Sequence, residues 1–267
     1  MSDRTLINAQ GLGLVLLAVL CVYSFGTAFL FAGDGNSQNL NQILSIPNAE
    51  LLLGTDHFGR NMWLRLADAL RLSLLLALAC VVTSALTGVM LGVLAATRGG
   101  WVDRLIDMLV TLIMALPGLV LVMIFASIAP GSLLVLYIAI ALIQWVEYFR
   151  LTRAVIQRVD TSPAVESSRL MGFSLWYLFR RHYWPALAPQ LLTLAAFGAA
   201  NAVLMMASLG FVYVGIQPPT AELGQMIVEL FPYYQEAPWL LAQPLLALAL
   251  LVLAFHLCGR RGGNAPD

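Results

Sequence analysis

Six long apolar runs constrain this chain more than anything else in it. They cover about residues 12–31, 72–97, 105–129, 132–149, 186–216 and 240–258. A bilayer core about 30 Å thick is crossed by roughly 20 apolar residues in a helix, which satisfies its own backbone groups there. Apolar residues make up 60% of the chain and charged residues 10%, against about 45–50% and about 25% in soluble domains. A soluble globule of this composition would leave a large apolar surface in water. The expected fold is therefore all-α and integral to the membrane, with six transmembrane helices.

The run at 12–31 follows Arg4 and could pass for a signal peptide. It is longer than the roughly 7–15 residues of a signal h-region, so it is read as an anchor. Only Pro130 and Gly131 separate the third run from the fourth, which predicts a tight hairpin. All 14 basic residues are arginine, and their distribution orients the spans. Eleven fall on one side (Arg4, Arg98, Arg104, Arg150, Arg153, Arg158, Arg169, Arg180, Arg181, Arg260, Arg261). Three fall on the other (Arg60, Arg65, Arg71). The richer side is expected to be cytoplasmic, with both termini on it. The chain then divides into an anchor over 1–31, an outer loop with an interfacial helix over 32–71, and a five-span core over 72–267. The core includes a cytoplasmic segment over 150–185.

Several function classes fall away. The 14 basic residues are balanced by 14 acidic ones, so no electrostatic case exists for nucleic acid. No GxxxxGK[ST] loop is present, so any ATP hydrolysis belongs to another chain. Cys21, Cys80 and Cys258 lie in apolar runs without metal-ligand spacing and read as small buried hydrophobes. His57 and His182 have no second ligand at metal spacing and fall on opposite sides of the membrane, so the metal expectation is none. The runs contain no mid-span ionisable residue, which argues against a proton-coupled carrier. Asp103 and Asp107 are expected to pair locally with Arg104, and Glu147 with Arg150.

Residues 150–185 carry six arginines. Ser162 suits an N-cap, Pro163 the first helical position, Glu166 the positive helix end and Gly172 the C′ position. Ser174 can cap a second short helix to Tyr183, which Pro185 should separate from the fifth span. The predicted unit is a pair of short helices hinged at Gly172. Physical chemistry alone leaves two readings open: a knob offered to a partner, or an amphipathic connector whose arginines set topology and touch headgroups. On the opposite side, Gly54-Thr55-Asp56 and Gly59 predict a turn, with Asp56 capping a helix whose apolar face is Met62, Trp63, Leu66 and Leu70. Pro218 and Pro219 should stop the fifth span, with Thr220 capping a short helix. These outer motifs suit a rigid surface offered to a partner, a purely fold-holding role, or both. Asn201, Met205 and Ser208, on one stretch of the fifth span, are pathway candidates, with helix packing as the plainer role.

Spacing then narrows the reading. Glu166-Ser167-Ser168, three residues, Gly172, nine residues, His182, one residue and Trp184-Pro185 resemble the EAA loop of ABC importer permeases, Glu-Ala-Ala-x3-Gly-x9-Ile-x-Leu-Pro. Serine replaces both alanines, His182 the isoleucine and Trp184 the leucine; Arg181-His182 is similar to the peptide branch. Leu53-Gly54-Thr55-Asp56-His57-Phe58-Gly59-Arg60-Asn61 resembles the LGTDxxGRD signature of the peptide/nickel branch, with Asn61 for aspartate. Residues 215–227, which include Gln217, Pro218, Pro219, Glu222 and Gly224, resemble its GVQPPTPEWGxMI segment, with Leu223 for tryptophan.

The resemblance implies a type I ABC importer permease fold and half of a heterodimeric pore for peptides, opine-type metal chelates or nickel. Implied partners are a second permease subunit, one or two cytoplasmic ATPases holding ATP and Mg, and an extracytoplasmic substrate-binding protein. No cofactor is implied in this chain. By resemblance, Glu166, Ser167, Ser168, Arg169, Gly172, His182 and Pro185 form the ATPase-docking element. The rival classes are an ATP-independent secondary carrier or channel, and a membrane-embedded enzyme, for which no polar catalytic cluster is visible.

Overall fold

The computed structural model describes residues 3–30 and 33–260, with side chains from Ala9 onward. The side chain of Arg4, and all of Phe31 and Arg261, lie outside the described set. In chain order the helices are α1 (Asp3–Leu30), α2 (Met62–Arg98), α3 (Gly100–Met114), α4 (Gly118–Ile128), α5 (Leu133–Asp160), α6 (Pro163–Leu170), α7 (Leu175–Leu178), α8 (Trp184–Phe211), α9 (Leu223–Leu230) and α10 (Pro238–Gly259). Five helical stretches are each long and apolar enough to cross a membrane, and six when α3 and α4 count as one broken span. One end of the bundle carries residues 33–61 and 212–237, here the loop end. The other, the knob end, carries α6 and α7.

The core is set by how closely α2 approaches α5. Ser84, Gly88 and Gly92 recur every four residues along one face of α2, and small residues let membrane helices come together. An added Cβ at Gly88 would lie 2.5 Å from Tyr148 Cβ, and one at Gly92 2.7 Å from Thr152 Cβ. Ser84 Oγ donates to the Ala141 carbonyl at 3.2 Å. Around this pair, buried residues of α1, α4, α8, α9 and α10 close one apolar core that includes Leu20, Val122, Val203, Met226 and Leu251.

The structure corrects several expectations. No separate interfacial helix exists before residue 72. Residues 62–71 are the first turns of α2, and Met62, Leu66 and Leu70 are buried. No proline or glycine interrupts 62–87, so the helix has no reason to break there. The third run is not straight. It bends by 81° around Ala115-Leu116-Pro117, because Pro117 has no N–H to give and disfavours helix in the residue before it.

Pro185 does not separate α7 from the fifth span. A π-helical turn over Phe179–Tyr183 joins α7 to α8, and its wider register makes room for the proline ring that a regular helix would press against the preceding turn. Pro218-Pro219 does not stop the fifth span either. The helix ends at Phe211 in a Schellman turn, with Tyr213 at φ 58° and Val214 N–H donating to the Leu209 carbonyl at 3.2 Å. The predicted local pairs are also absent. Arg153 of α5 reaches across to Asp103 at 2.6 Å and Asp107 at 3.1 Å, and Arg150 turns to Met114 Sδ at 3.4 Å rather than to Glu147. The helix α5 continues to Asp160, so Glu147 lies near its centre, one turn before Arg150.

Candidate functional site

Three assemblies carry the residues singled out in the sequence. At the loop end, Gly54 and Gly59 take positive φ, 75° and 70°, in the tightest part of the fold. An added Cβ would fall 2.3 Å from the Ser45 carbonyl oxygen at the first and 1.8 Å from that of Asn39 at the second. Only glycine meets both conditions. Thr55 accepts from Ser45 N–H at 3.0 Å and donates to the Gln42 carbonyl. Asp56 caps no helix. Its Oδ1 accepts from the N–H groups of Phe58 and Arg60, both at 2.9 Å, in an Asx turn. The cap of α2 is Asn61, accepting from Trp63 N–H at 2.9 Å.

Asp56 then becomes one corner of a buried ionic quartet. Arg60 Nε donates to Asp56 Oδ2 at 2.6 Å and its Nη2 to Glu229 Oε2 at 3.2 Å. Arg65 lies 3.5 Å from the same Asp56 oxygen and donates to Glu229 at 3.3 Å and to Asn36 at 3.2 Å. Two cations and two anions cancel, and buried charges persist only when paired in this way. Thr55, Asp56, Arg60 and Arg65 are at most 2% exposed, so their side chains hold the loop and present no surface. Sequence reading missed Glu229; the clue was three arginines, Arg60, Arg65 and Arg71, against two aspartates, Asp56 and Asp68, over residues 56–71. His57 stacks on Tyr233 with ring centres 5.1 Å apart, and burial lowers its pKa.

The third motif joins the same end. Thr220 is exposed and caps nothing; Glu222 caps α9, accepting from Gly224 N–H at 2.9 Å and Gln225 N–H at 2.8 Å. Glu222 is fully buried, and burial pushes its carboxyl up to about 7, against the lowering effect of those two hydrogen bonds. Gly224 allows α9 to touch α8, since a Cβ there would be 2.2 Å from the Ala207 carbonyl oxygen. Gln217, Pro218, Pro219 and Thr220 are left exposed.

At the knob end, α6 closes in a full Schellman motif. Gly172 at φ 77° donates to the Arg169 carbonyl at 2.9 Å, and Phe173 N–H to that of Ser168 at 3.2 Å. Ser162 occupies the N-cap position without a side-chain hydrogen bond, leaving Pro163 as the start signal. Val165 is buried against Ile156, Leu178 and Tyr183. Asp160 Oδ1 accepts from Arg169 at 2.6 Å and from the Tyr183 hydroxyl, tying α5, α6 and the π turn at one oxygen. Ser168 Oγ donates to the Ala164 carbonyl at 2.8 Å and lies 3.0 Å from His182 Nε2, so its hydroxyl accepts from a His182 N–H there. Two departures from the EAA pattern, serine for alanine and histidine for isoleucine, thus touch each other. Glu166 and Ser167 point outward, and Pro185 is exposed. Around them stand Leu170, Met171, Leu175 and Trp176, 62–84% exposed.

The pathway candidates separate. Asn201 and Met205 line a cleft with Gln144 and Glu147 of α5. Ser208 does not; its hydroxyl donates to the Leu204 carbonyl at 2.7 Å. Among the described residues, no group of three or more His, Cys, Asp or Glu side chains is placed to hold a metal ion.

Residues 88–261 match the model of the binding-protein-dependent transport system inner membrane component family. The chain belongs to that family. The permease is 33% identical over 262 residues to the dipeptide transport system permease protein of Haemophilus influenzae, covering 96% of this chain and 89% of that one. It is 34% identical to the di/tripeptide transport system permease protein of Pseudomonas aeruginosa, covering 97% and 88%. Against the nickel transport system permease protein of Escherichia coli it is 32% identical, covering 93% and 90%. These relatives place the permease in the peptide/nickel branch of ABC importers, a transport subunit and not a secondary carrier, as the motif spacing implies.

Proposed function

We propose that this permease forms half of a heterodimeric pathway with a second permease subunit. It is driven by one or two cytoplasmic ATPases that hold ATP and Mg, and it is fed by an extracytoplasmic substrate-binding protein. Both termini lie in the cytoplasm of a prokaryotic cell, on the side with the larger arginine count. The observation that carries the reading is the knob. It shows a contiguous apolar surface, Leu170, Met171, Leu175 and Trp176, on an element otherwise rich in charge. A patch of that kind marks a partner site; the Asp160 contact ties it to α5, and the Ser168–His182 contact ties α6 to the π turn that leads into α8. Motion of the ATPases is transmitted through these ties. At the opposite end, exposed Gln217, Pro218 and Pro219 offer the surface for the binding protein, held by the ionic quartet beneath.

The substrate class is peptide or opine-type metal chelate first and bare nickel last, since no clustered metal ligands stand in the described residues. The test is purification in mild detergent through a C-terminal tag, with identification of whatever accompanies the chain. A second, sequence-distinct permease with ATPase subunits is the expected result. A chain that purifies alone and carries solute into liposomes without ATP would overturn the reading.

A further inference from the structure

The cleft between α5 and α8 has a composition that neither helix packing nor the motifs explain. Its walls are Ile140, Ile143, Ala202 and Met205; its polar groups are Gln144, Glu147 and Asn201. Glu147 follows Gln144 by one turn and Met205 follows Asn201 by one turn, so the two helices turn these residues to a common space. Gln144 is 93% buried, with a relative exposure of 7%, yet both its amide oxygen and its amide nitrogen lack a hydrogen-bond partner. Gly198 is what admits it, because an added Cβ there would lie 2.4 Å from Gln144 Nε2. Among the described residues Glu147 has no cation within ion-pair distance, and Arg150, its neighbour one turn on, is engaged with Met114. Glu147 lies about 21 Å along the helix axis from the loop end of α5, one turn before Arg150. A carboxylate beside a buried amide with neither of its polar atoms paired marks a functional place.

We propose that Glu147, Gln144 and Asn201 form a cation-accepting station on the translocation face, built for a primary ammonium group. The cleft holds about 20 Å3, room for one water-sized group, which fits an ammonium head. Such a group has three N–H donors, and the site offers three oxygen acceptors, one of them charged. A transition metal would want imidazole or thiolate ligands, and the cleft has none. The proposal rests on the importer reading above and names the chemistry its pathway favours: solutes that carry a free amine.

The test uses the tagged permease purified with whatever assembles on it, with Cys21, Cys80 and Cys258 replaced by alanine and Met205→Cys, on the cleft wall, as reporter. A trimethylammonium-ethyl and a sulfonato-ethyl methanethiosulfonate are compared, each rate divided by its rate with free cysteine. The cationic reagent should be favoured roughly tenfold, the preference should vanish in Glu147→Gln and survive in Glu147→Asp. Ethylammonium should protect the thiol, and tetramethylammonium, which has no N–H, should not. If Met205→Cys impairs assembly, Ile143→Cys serves as reporter. A thiol closed to both reagents would mean that the face is buried against the second permease, and the proposal falls. Equal rates, or equal protection by the two ammonium ions, overturn it as well. Loss of co-purifying partners with the reagent preference intact would instead count against the importer reading alone.

Discussion

Arg60 and Glu229, 169 positions apart, meet at 3.2 Å beneath the loop end, and Arg65 closes on the same Glu229 oxygen at 3.3 Å. The LGTD loop, the start of α2 and α9 are therefore one rigid unit. A surface placed on it is held by charge pairs in which both arginines and Asp56 are buried and Glu229 is largely so.

Removing one member should show this. Arg65→Ala leaves Glu229 and Asp56 sharing a single arginine in a site that is 1% exposed at Arg65. Loss of one partner of a buried pair costs about 3–5 kcal/mol. Thermal unfolding of the detergent-purified chain should reveal a marked drop, whereas Arg71→Ala, at a part-exposed pair with Asp68, should change it by about 1 kcal/mol or less. Equal effects from the two would contradict the quartet's role.

Glu222 makes stability depend on pH with a definite sign. Its carboxyl is raised from 4.5 to about 7 in the folded chain by burial. The folded state then holds a proton that the unfolded state has already released between those values. The contribution is complete below about 4.5 and is lost as pH rises through about 7, a change on the order of 3 kcal/mol. Melting temperature against pH should therefore fall over this window, and Glu222→Gln, which keeps an acceptor for the α9 cap, should flatten that part of the curve.

Gly172 has open space around it but a φ of 77°. Substitution there strains the backbone without a clash, at about 1–2 kcal/mol for a side chain forced left-handed. Gly172→Val should reach the membrane, melt near the parent, and lose ATPase co-purification and transport. Undiminished association would remove the knob from the docking role.

Asp160 carries two donors on one oxygen. Asp160→Ala should leave α6 folded against Val165 but loosely tied, with backbone hydrogen exchange over 163–170 faster by roughly tenfold. ATP hydrolysis should then respond less to a loaded binding protein while co-purification of the ATPase persists. A double-mutant cycle between Ser168→Ala and His182→Ala should return a coupling of about 1 kcal/mol.

Apolar length was enough to find the spans, though not their ends or the break in the third, because a helix in hydrocarbon must satisfy its own backbone and needs a set number of apolar residues to cross. Local chemistry was enough for the Gly172 turn and the Ser174 cap of α7, since caps act within a few residues. The motif spacing alone also pointed to the family. What the sequence could not decide were the pairings made across space. Arg153 leaves its neighbours for Asp103, Arg60 finds Glu229, Glu222 displaces Thr220 as a cap, and Ser168 meets His182. Glu147 looked like the end of a span because hydropathy falls there, while the helix itself runs on to Asp160. Hydropathy reports the cost of leaving water for each residue alone. Which charge is cancelled, and by which partner, is settled only when the folded chain brings distant residues within hydrogen-bonding reach.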